Sequence, residues 1–239
     1  MFTGPHIVTD GLVLHLDAAN IKSYPGSGTT WFDRSGNNYN GGLINGPLYT
    51  SLSNGTITLD GLNDYITISG GGTNNTHAWT SDGSVGSSTL FMEIWVKTND
   101  SSGRILSKPW NGSGQYNMVV SSNGFSLLGN TSTSISFSNI ANNTWRHVVV
   151  WATSNQIGYT IDGTISNSSS HSVVGGIPSS GNSNLTLLLG SLYPYGSEWA
   201  GIDSFSMGGE IAMFRKYNRI LSQQEILQNY NATKSRFNL

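Results

Sequence analysis

No cysteine occurs in the 239 residues, so neither a disulfide nor a cysteine-ligated metal braces this chain, and its fold rests on packing alone. Charge is scarce: Asp, Glu, Lys and Arg make up 10% of the residues, against about 25% in an ordinary soluble domain. The formal balance is -2. That leaves no basic field to hold a phosphate backbone, so nucleic acid is not an expected partner. No run approaches the roughly 18 apolar residues of a membrane span. The first residues, MFTGPHIVTDGLV, have neither a basic segment nor a continuous apolar stretch. Neither export by a classical signal nor insertion in a membrane is expected.

Catalytic patterns are missing as well. The usual context for a nucleophilic serine is a G-x-S-x-G elbow, and the glycine-flanked match Gly112-Ser113-Gly114 lacks that spacing. The five histidines (His6, His15, His77, His147, His171) show no H-x-H or H-E-x-x-H spacing, the pattern by which two imidazoles reach one zinc. Glycoside hydrolysis needs two carboxylates across the scissile bond, which one strand supplies at i and i+2 or i+4. Glu93 has Trp95 and Lys97 at those offsets, and Glu210 has Ala212 and Phe214. No catalytic residue is therefore assigned, and a non-enzymatic protein is expected.

What the chain does have is alternation. Apolar residues are 36% of the whole and recur with period 2 in short runs closed by Gly, Asn, Asp or Ser, the signature of antiparallel strands. GLVLHLDA (11–18), TITLDG (56–61), YITIS (65–69), YNMVVS, GFSLLG, SISFSN, RHVVVWAT, IGYTIDG and LTLLLGS are the clearest. In LFMEIWVKT (90–98) both faces are mostly apolar, which places that strand near the middle of a sandwich. Asp162-Gly163 marks a hairpin, because both turn positions want positive φ. Only the C-terminus changes period. There Ser222 stands three residues before Glu225, with Leu221 and Ile226 as flanking apolar residues. This is a capping box with its staple, and it predicts a helix over about 223–235 with Ile226, Leu227 and Tyr230 as its apolar stripe. That helix is expected on the outside of the sandwich, as a closing element that shields a sheet edge. No linker divides the chain, and 1–239 reads as a single domain.

Two kinds of binding residue stand out. Asp17 and Asp33 sit at strand ends or turns among asparagines, where carboxylate and carbonyl oxygens suit calcium but where an Asx-turn uses the same carboxylate without a metal. In WFDRSGNNYNGGLINGP (31–47), Asp33 and Asn37 are expected to tie the loop to its own backbone. Gly36 and Gly41 would supply unusual dihedrals, and Trp31 the anchor. For a sugar, the requirement is an aromatic face with amides and hydroxyls nearby. Trp110 in KPWNGSGQY, and Tyr193, Tyr195 and Trp199 in SLYPYGSEWAG, occupy loops where such a platform can form. Trp95, Trp145 and Trp151 lie within strands and are assigned to the core.

In order along the chain, LVLHLDAAN, WFDRSGNNYNGGLINGP, ITLDGLNDYITI, FMEIWVKT, NTWRHVVVWA with YTIDG, LLLGS, and GEIAMFRKYNRILSQQEI resemble the laminin-G-like branch of the concanavalin A-like lectin-glucanase jelly rolls. The resemblance covers nearly the whole chain. It implies an all-β fold, a two-sheet antiparallel sandwich of about six or seven strands per sheet with a short C-terminal α-helix. Hydrolases of that fold carry a Glu-x-Asp-x-x-Glu strand, which this chain lacks; relatives with a structural calcium often have an acid where Ala212 stands here. More narrowly, DAAN with SYPGSGTTW and the ending LQNYNATKSRF are similar to virion structural proteins of tailed phages, especially those of marine bacteria and cyanobacteria. That similarity implies a non-enzymatic role on the phage particle surface, as capsid decoration, head fibre or tail-associated module. The expected partners are other virion proteins, with a homo-oligomer and a host surface glycan as further candidates. A carbohydrate-binding adhesin is the alternative and a glycan hydrolase a distant one, with calcium the only candidate cofactor.

Overall fold

The period-2 runs pair into two antiparallel sheets packed face to face. The computed structural model describes residues 5–52, 55–68, 89–108, 117–128, 133–153, 155–170, 187–191 and 205–239. Within them lie strands β1 (Leu12–Asp17), β2 (Thr30–Trp31), β3 (Gly41–Ile44), β4 (Leu48–Thr50), β5 (Thr56–Asp60), β6 (Tyr65–Ile68), β7 (Leu90–Thr98) and β8 (Arg104–Lys108). They continue as β9 (Asn117–Ser121), β10 (Gly124–Leu128), β11 (Thr133–Ser136), β12 (Arg146–Ala152), β13 (Gln156–Ile161), β14 (Ile165–Ser170), β15 (Leu187–Leu189) and β16 (Gly208–Tyr217). Helix α1 (Gln223–Thr233) follows, and a 3-10 turn over Lys234–Phe237 closes the chain.

The first sheet runs β14-β13-β12-β7-β16-β5-β4, and β1 also pairs with β16. The ten residues of β16 serve two neighbours on one side: Gly208 to Ile211 pair with β5, and Met213 to Tyr217 pair with β1. The second sheet runs β11-β10-β9-β8-β15-β6-β3-β2. Among the described residues each sheet has eight strands rather than six or seven, because strands as short as β2 and β4 fall below the length at which alternation can be read. β5 and β6 sit in different sheets, so the 61–64 turn crosses the sandwich instead of closing a hairpin. Asp60 holds that crossing by accepting from the backbone N–H groups of Leu62, Asn63 and Asp64. The Asp162-Gly163 hairpin forms as expected, with φ of 53° and 72°.

Between the sheets, one apolar cluster takes Leu14 and Leu16 from β1, Met92, Ile94 and Val96 from β7, and Phe125, Ile157 and Phe214 from other strands. The outer face of the first sheet is covered too. Phe91, Val149 and Tyr217 pack under Val8, Leu221 and Ile226. Beside them Trp95, Trp145 and Met213 pack under Phe237 and Tyr230. Helix α1 therefore lies over the middle of this sheet, on β7, β12 and β16, and not along an edge.

Its start is fixed as expected. Ser222 Oγ accepts from the Glu225 N–H, and the Glu225 carboxylate accepts from the Ser222 N–H at 2.8 Å. The helix face departs from the apolar stripe, however. Ile226, Asn229 and Thr233 are the buried residues, while Leu227 is 37% exposed. Asn229 and Thr233 face the sheet because polar groups lie beneath them within its apolar surface: Asn229 donates to Glu93 and Tyr217, and Thr233 accepts from the Trp95 indole N–H.

Candidate functional site

A register irregularity in β16 creates that polar floor. Between Ile211 and Met213 the pairing with β7 slips by one residue, so Ala212 and Met213 both join the outer cluster. From there on, Met213, Arg215 and Tyr217 stand opposite Trp95, Glu93 and Phe91. Such a bulge reverses which face each later side chain occupies. It places Arg215 beside Glu93 under the helix, both almost fully buried.

Glu93 and Arg215 form an ion pair, and the Arg215 guanidinium also touches the Met213 sulfur. Asn229 of α1 donates through Nδ2 to both Glu93 oxygens, at 3.2 and 3.1 Å, and to the Tyr217 hydroxyl at 3.0 Å. The Asn229 carbonyl oxygen accepts from the Val8 N–H at 2.7 Å, and Tyr217 Oη donates to the Val8 carbonyl at 2.9 Å. One amide thus ties the N-terminal segment, the helix and the sheet together. His147 Nε2 stands 3.6 Å from Glu93 Oε2, too far for a hydrogen bond.

The charges follow from this arrangement. Burial pushes the Glu93 carboxyl up, but the Arg215 guanidinium, with His147 and Asn229, outweighs it and holds the group down at about 2. Burial lowers His15 to about 4, and the nearby Arg215 charge adds to the effect. Burial, with the Glu93 charge beside it, raises the Tyr217 hydroxyl. Chemically this is a closed anchor. Glu93 is an ionised carboxylate with its oxygens engaged and 2% exposure, so it has no access to a substrate.

The expected calcium ligands are likewise occupied. Asp33 Oδ1 accepts from the N–H groups of His15 and Ser35 at 2.9 and 2.8 Å. Its Oδ2 accepts from the Ser35 hydroxyl and the Tyr39 N–H at 2.7 and 3.1 Å. Asp17 accepts from the Ala19 N–H and pairs with Arg236 at 2.8 Å. A shell of N–H, O–H and guanidinium donors does not fit a cation, and among the described residues no three His, Asp or Glu converge as a metal site. The 31–47 stretch is a structural turn in which Trp31 is fully buried and Asn37 Nδ2 donates to the Val13 carbonyl. Gly36 has φ of 99°. Gly41 is needed for space instead: a Cβ there would lie 3.2 Å from Ile66 and from Trp31.

Where the N-terminal end of α1 meets the outer strands β12, β13 and β14, a cleft of about 350 Å³ opens. Trp151 and Thr160 line its sheet side and Leu221, Gln223 and Ile226 its helix side. Trp151, expected in the core, is only half-buried. It stands directly across from Gly158, where a Cβ would collide with the indole, so the glycine gives the ring its seat. Gln223 Nε2 donates to the Gly163 carbonyl at 2.6 Å and pins the helix end to the β13–β14 turn. Trp110, Tyr193, Tyr195 and Trp199 lie outside the described residues.

Residues 60–227, more than half of the chain, match the family model described as Concanavalin A-like lectin/glucanases superfamily. The chain belongs to this superfamily. A search of curated proteins finds no match. Among solved structures, the binding domain of botulinum neurotoxin DC in complex with rat synaptotagmin II is similar over 95% of this chain and 52% of its own, at 15% identity and a TM-score of 0.66. The same domain in complex with SialylT matches over 94% and 52%, at 15% identity and a TM-score of 0.64. The botulinum neurotoxin serotype D ligand-binding domain in complex with N-acetylneuraminic acid matches over 93% and 51%, at 14% identity and a TM-score of 0.64. This concanavalin A-like chain spans about half the length of those structures, and at such identities the likeness is one of fold.

Proposed function

We propose that this chain is a non-enzymatic glycan-recognition module. The observation that carries the reading is the state of Glu93. It is the only carboxylate on the central strand β7, and Arg215, Asn229 and α1 close it off. What then remains of a lectin-glucanase fold is its capacity to bind. The toxin domains of similar fold were solved in complex with rat synaptotagmin II, N-acetylneuraminic acid and SialylT, which supports a recognition role on fold alone. Trp110, Tyr193, Tyr195 and Trp199 are the loop residues to substitute first. A glycan array with wild-type protein and Trp199→Ala tests the reading: binding without release of reducing ends supports it. Binding to no glycan, or steady cleavage of a bound one, overturns it.

A second reading concerns where the module acts, and it rests on the DAAN and LQNYNATKSRF segments that resemble phage virion proteins. Within the fold these two distant segments meet, through the Arg236–Asp17 pair. The chain in this reading is a structural protein of the phage particle, displayed on its surface as capsid decoration, head fibre or tail-associated module. Proteomics of purified particles and negative-stain imaging of a deletion mutant test it. Absence of the protein from virions together with unchanged morphology rejects it.

A further inference from the structure

The cleft beside α1 has a lining unlike the rest of the covered outer face. Every described residue around it is uncharged, and it combines one indole, the Gln223 amide oxygen and the Asn167 amide N–H groups, whose other ends bond the Gly163 carbonyl and the Ser168 N–H, the hydroxyls of Thr160 and Ser168, and the aliphatic edge of Leu221 and Ile226. The charges of the adjacent helix end are consumed locally, since Arg219 pairs with Glu225 at 2.6 Å and with Asp10 at 2.8 Å. We propose that this cleft is a binding subsite for a short neutral glycan segment, a site separate from the aromatic loops. The proposal rests on the glycan-recognition reading above.

Three physical points lead to the neutral sugar. A pyranose has an apolar C–H face that packs on an aromatic ring, and equatorial hydroxyls that need amides and hydroxyls to replace water. Both requirements are met within one cleft. A sialic or uronic acid would additionally need a cation to offset the desolvation of its carboxylate, and among the described residues the lining offers none. Its volume of about 350 Å³ lies at the lower end of the roughly 300–1,000 Å³ of ligand cavities, which suits the end of an oligosaccharide better than a long chain. The cleft is also held open in advance: Leu221 and Ile226 are buried at the helix start, the capping box fixes that start, and Gln223 ties it to the β13–β14 turn. A preformed site of this kind binds without first ordering its walls.

Saturation-transfer NMR and calorimetry with maltose, cellobiose, lactose and sialyllactose on the full chain test the proposal. The expected result is binding of at least one neutral disaccharide, weakened about tenfold or more by Trp151→Ala. Because Trp151 also packs against the sheet, a second variant, Ser168→Trp, plugs the cleft from an exposed strand position and should abolish binding at unchanged Tm. Neutral-sugar binding that survives Ser168→Trp overturns the cleft while leaving glycan recognition standing. Preference for sialyllactose overturns the neutral assignment, and binding to no sugar in this set or on the array overturns both.

Discussion

Toward the second sheet, β7 turns Leu90, Met92, Ile94 and Val96; toward α1 it turns Phe91, Glu93 and Trp95. Both faces are buried, yet they are built on opposite principles. The inner face gains its stability from apolar area removed from water, a quantity that changes smoothly with volume. The outer face is closed by a helix that buries Asn229 and Thr233 beside Ile226, over an ion pair whose removal from water costs several kcal/mol per ion. Each polar group there is tolerable only while its partners are present, so damage should be abrupt and depend on which partner is lost.

The largest expected effect follows directly. Glu93→Ala leaves Arg215 buried without its counter-ion, and urea unfolding should show a loss of about 3–5 kcal/mol. The double variant Glu93→Leu/Arg215→Met should recover most of that loss, because no charge is then left unpaired. If the double variant is less stable than either single one, the ion pair contributes net stability and the contrast between the faces narrows.

Acid should act on the outer face next. His15 is held at about 4 against an ordinary 6.5, so the unfolded chain binds the extra proton first, and stability present above pH 6.5 is lost as pH falls toward 4. Glu93, held at about 2 against 4.5, extends the loss below pH 4.5 in the same direction. Keeping His15 neutral across that range corresponds to a loss on the order of 3 kcal/mol. Thermal melts between pH 7 and 4 should show Tm falling, and His15→Gln should flatten the slope between 6.5 and 4. An unchanged slope in that variant would reassign the effect.

How much of this was legible in the sequence depends on how local the cause is. The Ser222–Glu225 cap and the Asp162-Gly163 turn involve neighbours in sequence, and both form as read. The Asp33 loop was also readable, because Asx-turn chemistry acts within a few residues. The outer face was not, since Glu93 lies more than a hundred residues from both Arg215 and Asn229, and the slip at Ala212 breaks the alternation needed to foresee that Arg215 meets Glu93. Leu227 is exposed for a different reason: it stands about 100° around the helix from Ile226, off the face on which Ile226, Asn229 and Thr233 meet the sheet. Trp151 reads as core by its strand position. Its half-exposed seat depends on Gly158, a cross-strand partner visible only once register is known.

A smaller effect should come from the inner face. Ile94→Val removes one methylene from a close-packed site, and equilibrium unfolding should fall by about 0.5–1.5 kcal/mol with the m-value unchanged. No substitution of a single neighbour should rescue it as the double variant rescues Glu93, because no specific partner is lost. A rescue would show that the inner face also depends on pairwise complementarity.

The smallest expected effect is that of calcium, and it sets Asp33 beside Glu93 as a second saturated carboxylate. Glu93 is filled by a guanidinium and an amide from distant elements, whereas Asp33 is filled mainly by its own loop, with N–H groups of Ser35 and Tyr39 and the Ser35 hydroxyl joined by His15. A calcium ion needs six to eight oxygen ligands and would have to displace donors already in place, with Asp17 held by Arg236. Differential scanning calorimetry with millimolar calcium or with chelator should therefore give the same Tm. A saturable rise of several degrees, lost in Asp33→Asn, would mean that the loop rearranges around a metal, and its carboxylate would then be a ligand that the hydrogen-bonded turn holds in reserve.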